Sequence, residues 1–156
     1  MTNSRQPWSI SELAARHPRI AIDADVLIYL LDGSEPWAGL AGVLIDAIDS
    51  GELAGSMSAL ALTEVLVGPA RAGDAARFEQ TAAELRDLSV SVTPIGTAVA
   101  EHAAWLRGRD VLQLADAVHV AAAQSTATAF ITNDRRIRSQ PSLEVVYLDD
   151  LVVPAS

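Results

Sequence analysis

Short apolar runs alternate with longer stretches that carry apolar residues at helical spacing. The strand-like runs lie at residues 19–23, 53–58, 90–94, 129–132 and 145–148. Strands separated by helices are typical of parallel pairing through right-handed crossovers. The pattern therefore predicts an α/β fold, with one open, mainly parallel sheet of about five strands and helices on both faces.

The predicted helices have recognisable ends. Ser9 and Glu12 are spaced as a capping box. Ser58 is the predicted N-cap of a helix that Gly68 and Pro69 are expected to end. Helices are predicted at residues 10–16, 26–31, 36–50, 59–67, 74–88, 97–107 and 114–124.

Length and composition favour a single domain. The chain has 156 residues, of which 50% are hydrophobic. We expect residues 1–18 to form a polar N-terminal extension with a short helix, and residues 19–156 to form the domain. The apolar runs are shorter than the roughly 20 residues that cross a bilayer, and the N-terminus lacks the apolar core of a secretory signal. We therefore expect a cytoplasmic protein without membrane contact.

Charge and cysteine content restrict the chemistry. The chain has no cysteine, which excludes disulfides, iron–sulfur clusters and thiolate zinc sites. Its net charge of −9 argues against binding nucleic acid through the whole surface, but is compatible with a nuclease. All 11 basic residues are arginine, so mechanisms that require a lysine are excluded.

Acidic residues interrupt segments that otherwise suit a hydrophobic core. Asp23 and Asp25 lie in IAIDADVLIYLL, Glu64 in SALALTEVLVG, Asp116 in LADAVHVAAA and Asp134 directly after AFITN. Burying an ionised carboxylate requires compensation. In open parallel sheets, ligands bind beyond the carboxyl ends of the strands. These acids are therefore predicted to converge on one rim of the sheet.

Converging carboxylates need a counter-charge. At an effective dielectric constant near 20, two carboxylates about 5 Å apart repel each other by roughly 3 kcal/mol. Protonation or a divalent cation relieves this repulsion, and a cage of oxygen ligands suits Mg²⁺ or Mn²⁺. The residues therefore favour a metal centre made by Asp23, Glu64, Asp116 and Asp134.

Structural explanations stay open for single residues. Asp134 can be the cap of a short helix over RRIR, and Asp116 can be a first-turn partner of the helix dipole. His119 is three residues after Asp116, where a satisfied core histidine is favoured over a metal ligand. We expect Asp25, Asn133 and His119 to support the ligands rather than to bind metal.

Four segments, in order, resemble a PIN-domain ribonuclease, in particular the single-domain toxins of VapC-type toxin–antitoxin pairs. They are IDADVLIYLLD, SALALTEVLVGP, LADAVHVAAA and FITNDRRI, within about residues 19–152. The resemblance implies that Asp23, Glu64, Asp116 and Asp134 hold Mg²⁺ or Mn²⁺, with a metal-activated water cleaving RNA. It also implies a homodimer and a small antitoxin whose tail covers the acidic groove.

The chain departs from the family pattern at two places. Ala24 replaces the usual Thr or Ser after the first acid, and Asp25 replaces the commoner Asn or Ser. Arg135 and Arg136 stand where a further acid is often found after Asp134. These arginines are predicted to contact RNA phosphates or an acidic segment of the antitoxin, and one metal ion is the expected resting state.

Two alternatives differ in chemistry. A haloacid-dehalogenase-like phosphatase would use Asp23 as nucleophile and Asp25 as acid/base, but it also needs a basic residue, normally lysine, against the phosphate. A non-catalytic PIN-like module would keep the fold only to bind a partner. A short open reading frame overlapping the start of the gene would favour the toxin, and its absence the binding module.

Overall fold

A computed structural model describes residues 7–154 as one α/β unit. The strands are β1 (Arg19–Ile22), β2 (Ala54–Ser58), β3 (Ser91–Thr93), β4 (Ala129–Thr132) and β5 (Glu144–Tyr147). The helices are α1 (Ile10–Arg16), α2 (Ala24–Asp32), α3 (Trp37–Asp49), α4 (Ala59–Arg71), α5 (Ala75–Asp87), α6 (Thr97–Arg109) and α7 (Leu114–Thr126).

The five strands form one parallel sheet in the order β3-β2-β1-β4-β5. The chain builds outward from β1 to β3 and then returns to the other side of β1 to add β4. This reversal of strand order opens a crevice beyond the carboxyl ends of β1 and β4, where open α/β sheets bind ligands. The fold predicted from the sequence is confirmed.

Helices cover both faces of the sheet. Side chains alternate along each strand, so Ile20 and Ile22 join one hydrophobic cluster while Ala21 joins the other. Residues of α1–α5 belong to the first cluster, and residues of α6 and α7 to the second. Because α4 and α7 cover opposite faces, their side chains meet only beyond the strand ends, in the crevice.

The N-terminal helix is part of the core. The capping box of Ser9 and Glu12 is present, as predicted. Leu13 is fully buried in the first cluster, and Trp8 makes two backbone hydrogen bonds to the C-terminal segment, at Asp150 and Val152. Residues 1–6 of the predicted extension lie outside the described residues, and the division into extension and domain stays a prediction.

Helix α4 is longer than predicted. The cap at Ser58 is confirmed, because its side chain accepts the backbone N–H of Ala61 at 3.0 Å. The expectation that Gly68 and Pro69 end the helix is wrong, since α4 continues to Arg71 with the proline inside it. The ring of Pro69 lies in the last turn of α4. Its missing N–H removes one backbone hydrogen bond there, and little helix follows that could be disrupted.

None of the described helices is long and apolar enough to pass through a membrane.

Truncating the buried leucine of α1 tests whether this helix belongs to the domain. We expect Leu13→Ala to lower the free energy of unfolding by about 3 kcal/mol, because it leaves a cavity in the core. Leu114→Ala is the matched control, since Leu114 is 65% exposed whereas Leu13 is 0% exposed. Urea unfolding of both variants gives the comparison, and equal stability losses would contradict the assigned role of α1.

Candidate metal centre

Asp23 lies at the reversal point of the sheet and is 8% exposed. It directly follows β1 and is the N-cap of α2, with Oδ1 accepting the N–H of Ala24 at 2.8 Å. Its Oδ2 accepts the hydroxyl proton of Thr132, at the end of β4, also at 2.8 Å. Two neighbouring strands therefore fix this carboxylate, and each oxygen keeps a lone pair for another partner.

Glu64 and His119 bring the two helix layers together beside Asp23. Glu64 projects from the middle of α4 and His119 from α7, and the His119 Nε2 to Glu64 Oε2 distance is 3.1 Å. The same nitrogen lies 4.0 Å from Oδ1 of Asp23. One ligand atom from each of these three residues lies within 4.8 Å of the others. Two of the predicted acids are thus brought together with the predicted supporting histidine.

Asp116 and Asp134 lie close to this cluster, although neither belongs to the three-residue group among the described residues. Burial raises the pKa of Asp116, and the charges of Asp134 and Asp23 raise it further. Asp116 therefore shares the electrostatic field of the other acids.

Asp134 already has a cationic partner. The Arg136 guanidinium donates to both of its carboxylate oxygens, with the shortest distance 2.7 Å from Nη2 to Oδ2. This hydrogen bond is the main reason why the pKa of Asp134 is lowered. The helix expected over RRIR does not form, and Asp134 instead stabilises a turn, in which its Oδ1 accepts the backbone N–H of Arg136 at 3.0 Å. A cation at Asp134 would therefore have to share or displace this arginine.

Asp25 is the acid whose burial is least compensated. Its Oδ2 accepts the backbone N–H of Asn133 at 2.9 Å, whereas its buried Oδ1 has no hydrogen-bond partner among residues 7–154. Burial, together with the neighbouring Asp23 carboxylate, raises the pKa of Asp25 to about 7. The side-chain oxygen of Asn133 accepts the N–H of Asp149, so Asn133 supports the site through its backbone.

The two arginines after Asp134 point to different partners. Arg136 binds Asp134, and its side chain is largely exposed. Arg135 lies over the Tyr147 ring, 4.0 Å from its centroid, and pairs with Asp150 at 3.6 Å. Contact of either arginine with RNA or an antitoxin stays a prediction.

Two hydroxyl residues of the site were not predicted to belong to it. Thr132 holds Asp23, and Ser58 lies 2.7 Å from Nδ1 of His119 through its Oγ. Both residues end a predicted buried strand, and a hydroxyl at that position was the signal in the sequence that could have placed them in the site. Its partner could not be predicted, because it lies far away in the sequence.

A groove of about 450 Å³ lies beside the cluster, between α2, α4 and α5. Glu64 belongs to both the groove and the cluster. The groove combines apolar side chains with acidic ones, and its lining includes Ile28, Leu31, Val65, Asp32 and Glu84.

The arrangement fits a hard divalent cation. Carboxylate oxygens of two residues lie within a few ångströms of each other, more acids surround them, and a buried oxygen of Asp25 lacks a hydrogen bond. Carboxylates are the preferred ligands of Mg²⁺ and Mn²⁺. The imidazole of His119 lies beside these oxygens, and its predicted role is to support the ligands rather than to bind metal.

Comparisons with known proteins bear on the family and the fold of the chain. A family model described as the PIN domain matches residues 20–142. No curated protein matches the chain at a significant level. A toxin–antitoxin complex from Klebsiella pneumoniae is 22% identical at a TM-score of 0.59, over 80% of this chain and 94% of the other.

A second solved structure has the same fold. It is VapBC2 from Rickettsia felis bound to a DNA fragment from their promoter, 10% identical at a TM-score of 0.65. The match covers 83% of this chain and 98% of the other. At these identities the two structures establish a shared fold.

The raised pKa of Asp25 predicts a pH-dependent stability of the metal-free protein. The unfolded chain releases the Asp25 proton near the ordinary value of 3.8, whereas the folded chain holds it until about 7. Stability therefore falls as the pH rises between these values and stays reduced above them. We expect Asp25→Asn to stabilise the protein by roughly 4 kcal/mol at about pH 8, and little below about pH 4.

Urea unfolding in the presence of a chelator measures this difference. Asp46→Asn, at an exposed position of α3, is the matched control and should leave the pH profile unchanged. A parallel pH profile for Asp25→Asn and the wild type would contradict the assigned burial of Asp25.

Proposed function

The chain belongs to the PIN-domain family, and from this premise we propose that it is a metal-dependent endoribonuclease, the toxin of a toxin–antitoxin pair. The observation that carries the proposal is the cluster of Asp23, Glu64 and His119 at the point where the strand order reverses. Family membership and a carboxylate cluster at this position together support hydrolysis of nucleic acid. Both solved structures compared above are described as toxin–antitoxin or VapBC complexes.

We assign the metal to the carboxylates. Asp23 and Glu64 would hold Mg²⁺ or Mn²⁺, with Asp116 and Asp134 completing the acidic surroundings. When bound, the cation supplies a water of lowered pKa and stabilises the negative charge that develops on the phosphodiester. The proposal rests on the oxygen-rich ligand set, because such a set favours hard cations.

The protein's own residues prepare this centre. Thr132 and the Ala24 N–H fix both oxygens of Asp23, so its carboxylate is oriented before a cation arrives. His119 holds Glu64 from the opposite side of the crevice. Preorganised ligands reduce the free-energy cost of ordering the site on binding.

RNA is the proposed substrate, and the arginines after Asp134 are the proposed phosphate contacts. The net charge of −9 leaves few cations for the RNA backbone, so local contacts have to position it. Arg136 is well placed for this role, because its guanidinium stands beside the acidic cluster and its side chain is mostly exposed. Arg135 is a weaker candidate, since Asp149, Asp150 and Tyr147 surround its guanidinium.

The proposed partners are a small antitoxin and a second copy of the chain. The groove between α2, α4 and α5 suits an antitoxin segment with apolar and basic side chains, because its lining is partly apolar and its acidic residues Asp32, Glu64 and Glu84 outnumber its one basic residue, Arg77. A segment in this groove would reach Glu64 and thereby cover the metal centre. The proposed location is the cytoplasm, where the RNA substrate is found.

The phosphatase alternative lacks support. The chain contains no lysine to face a phosphate, and the family match covers both Asp23 and Asp25. The position of Glu64 beside Asp23 also has no role in that mechanism. The presence of all four acids, two of which meet in the cluster with His119, favours the nuclease over a module that only binds.

Replacing the central acid tests the proposed activity. We expect Asp23→Asn to reduce Mg²⁺- or Mn²⁺-dependent cleavage of a mixed RNA pool by more than about 100-fold, because one metal ligand loses its charge. The metal-free variant should be as stable as the wild type or more so, since one repelling charge is gone. Asp46→Asn serves as the control, because it makes the same chemical change at an exposed position of α3. Undiminished cleavage by Asp23→Asn would remove this residue from the centre.

Removing the charge of Arg136 should change the affinity for metal and the affinity for RNA in opposite directions. We expect Arg136→Gln to bind Mn²⁺ several-fold more tightly, because the Asp134 carboxylate loses its internal counter-charge, and to bind RNA more weakly. Calorimetry measures the first effect, and filter binding in a chelator the second. Arg138→Gln, also exposed, is the matched control. Weaker binding of both ligands to Arg136→Gln would contradict the competition between Arg136 and the metal.

A further inference from the structure

Ser58 is buried between the end of β2 and the metal centre, with 5% of its surface exposed. Its Oγ accepts the backbone N–H of Ala61 at 3.0 Å, which caps the helix that carries Glu64. The same oxygen lies 2.7 Å from Nδ1 of His119. A single hydroxyl therefore contacts both structural elements that deliver side chains to Asp23.

The contacts of Glu64 and Ser58 together decide which nitrogen of His119 carries the proton. The Ala61 N–H occupies an acceptor site on the hydroxyl oxygen, and the hydroxyl proton remains to be donated. The carboxylate of Glu64 can only accept, so in the neutral ring Nε2 carries the proton, and Nδ1 is left to accept the hydroxyl proton of Ser58 at 2.7 Å. In a neutral imidazole whose Nδ1 accepts, the proton sits on Nε2.

The proton on Nε2 is directed at Glu64. The Nε2 to Oε2 distance of 3.1 Å suits an N–H donor and a carboxylate acceptor. The three hydrogen bonds then run in one direction, with Ala61 donating to Ser58, Ser58 to His119 and His119 to Glu64. In such a series each hydrogen bond strengthens the next. His119 is 3% exposed, so water does not compete for its ring.

We propose that Ser58 is a positioning residue of the metal centre: its hydroxyl donates to Nδ1 of His119 and so stabilises the Nε2–H tautomer, which holds Glu64 as a hydrogen-bond donor and is not itself a metal ligand. The inference rests on the proposed function, because it assumes that Glu64 binds the cation. It explains how a site with a buried imidazole still presents oxygen ligands, which favour Mg²⁺ and Mn²⁺ over ions that prefer nitrogen.

Metal binding by four variants tests the role of Ser58. We expect Ser58→Ala to weaken Mn²⁺ binding 10- to 100-fold, roughly the effect of removing a residue that orients a ligand. Ser9→Ala is the matched control, because Ser9 also caps a helix through its hydroxyl but lies on α1. His119→Gln keeps a side-chain N–H donor and should retain Mn²⁺ binding, whereas His119→Ala should lose as much affinity as Ser58→Ala.

Calorimetry with Mn²⁺ alone gives these affinities, and circular dichroism shows whether each variant is folded. Equal losses for His119→Gln and His119→Ala would overturn the proposal, because they would make the imidazole a ligand. So would unchanged Mn²⁺ affinity in folded Ser58→Ala.

Nitrogen NMR of the metal-free wild type tests the tautomer without any variant. We expect the buried histidine to show a proton on Nε2 and an unprotonated Nδ1, and the opposite tautomer would overturn the proposal. A wild type that binds no Mn²⁺ while showing the expected tautomer would contradict the proposed function and the metal-positioning role, but would leave the Ser58–His119 hydrogen bond established.

Discussion

Mutual repulsion between carboxylates at the reversal point of the sheet is the constraint to which the rest of the site responds. Hydrogen bonds within the protein offset part of this repulsion. Asp23 accepts two of them, and the His119 imidazole bonds to Glu64. Arg136 neutralises Asp134. Asp25 is left with a buried oxygen that has no hydrogen bond, and its pKa rises to about 7. The negative charge that these groups do not offset calls for a proton or a bound cation, and the proton and the cation would compete.

The fold places these groups by a simple route. The return of the chain from β3 to β4 puts α4 and α7 on opposite faces of the sheet. Their side chains meet only in the crevice, where Glu64 and His119 approach Asp23. Arg136 enters from the loop after β4, next to the same crevice. The candidate metal centre is therefore a product of topology, and each of its side chains comes from a different connection.

The sequence predicts the fold well because apolar periodicity and helix caps are local signals. It also singles out Asp23 and Glu64, since a charge inside an apolar run is conspicuous without any structure. It cannot predict the hydrogen bond of Ser58 to His119, because the two residues are far apart along the chain and both suit a core. The sequence also does not predict that α4 continues past Pro69 to Arg71. A proline is compatible with the last turn of a helix, and the residue sequence alone does not show where that turn lies.

A Mn²⁺-soaked crystal, measured at a wavelength where manganese scatters anomalously, tests the central claim most directly. The account predicts an anomalous peak about 2 Å from oxygens of both Asp23 and Glu64, with His119 donating to Glu64 rather than contacting the ion. A peak elsewhere, or none at this cluster while the protein is saturated with Mn²⁺, would contradict it.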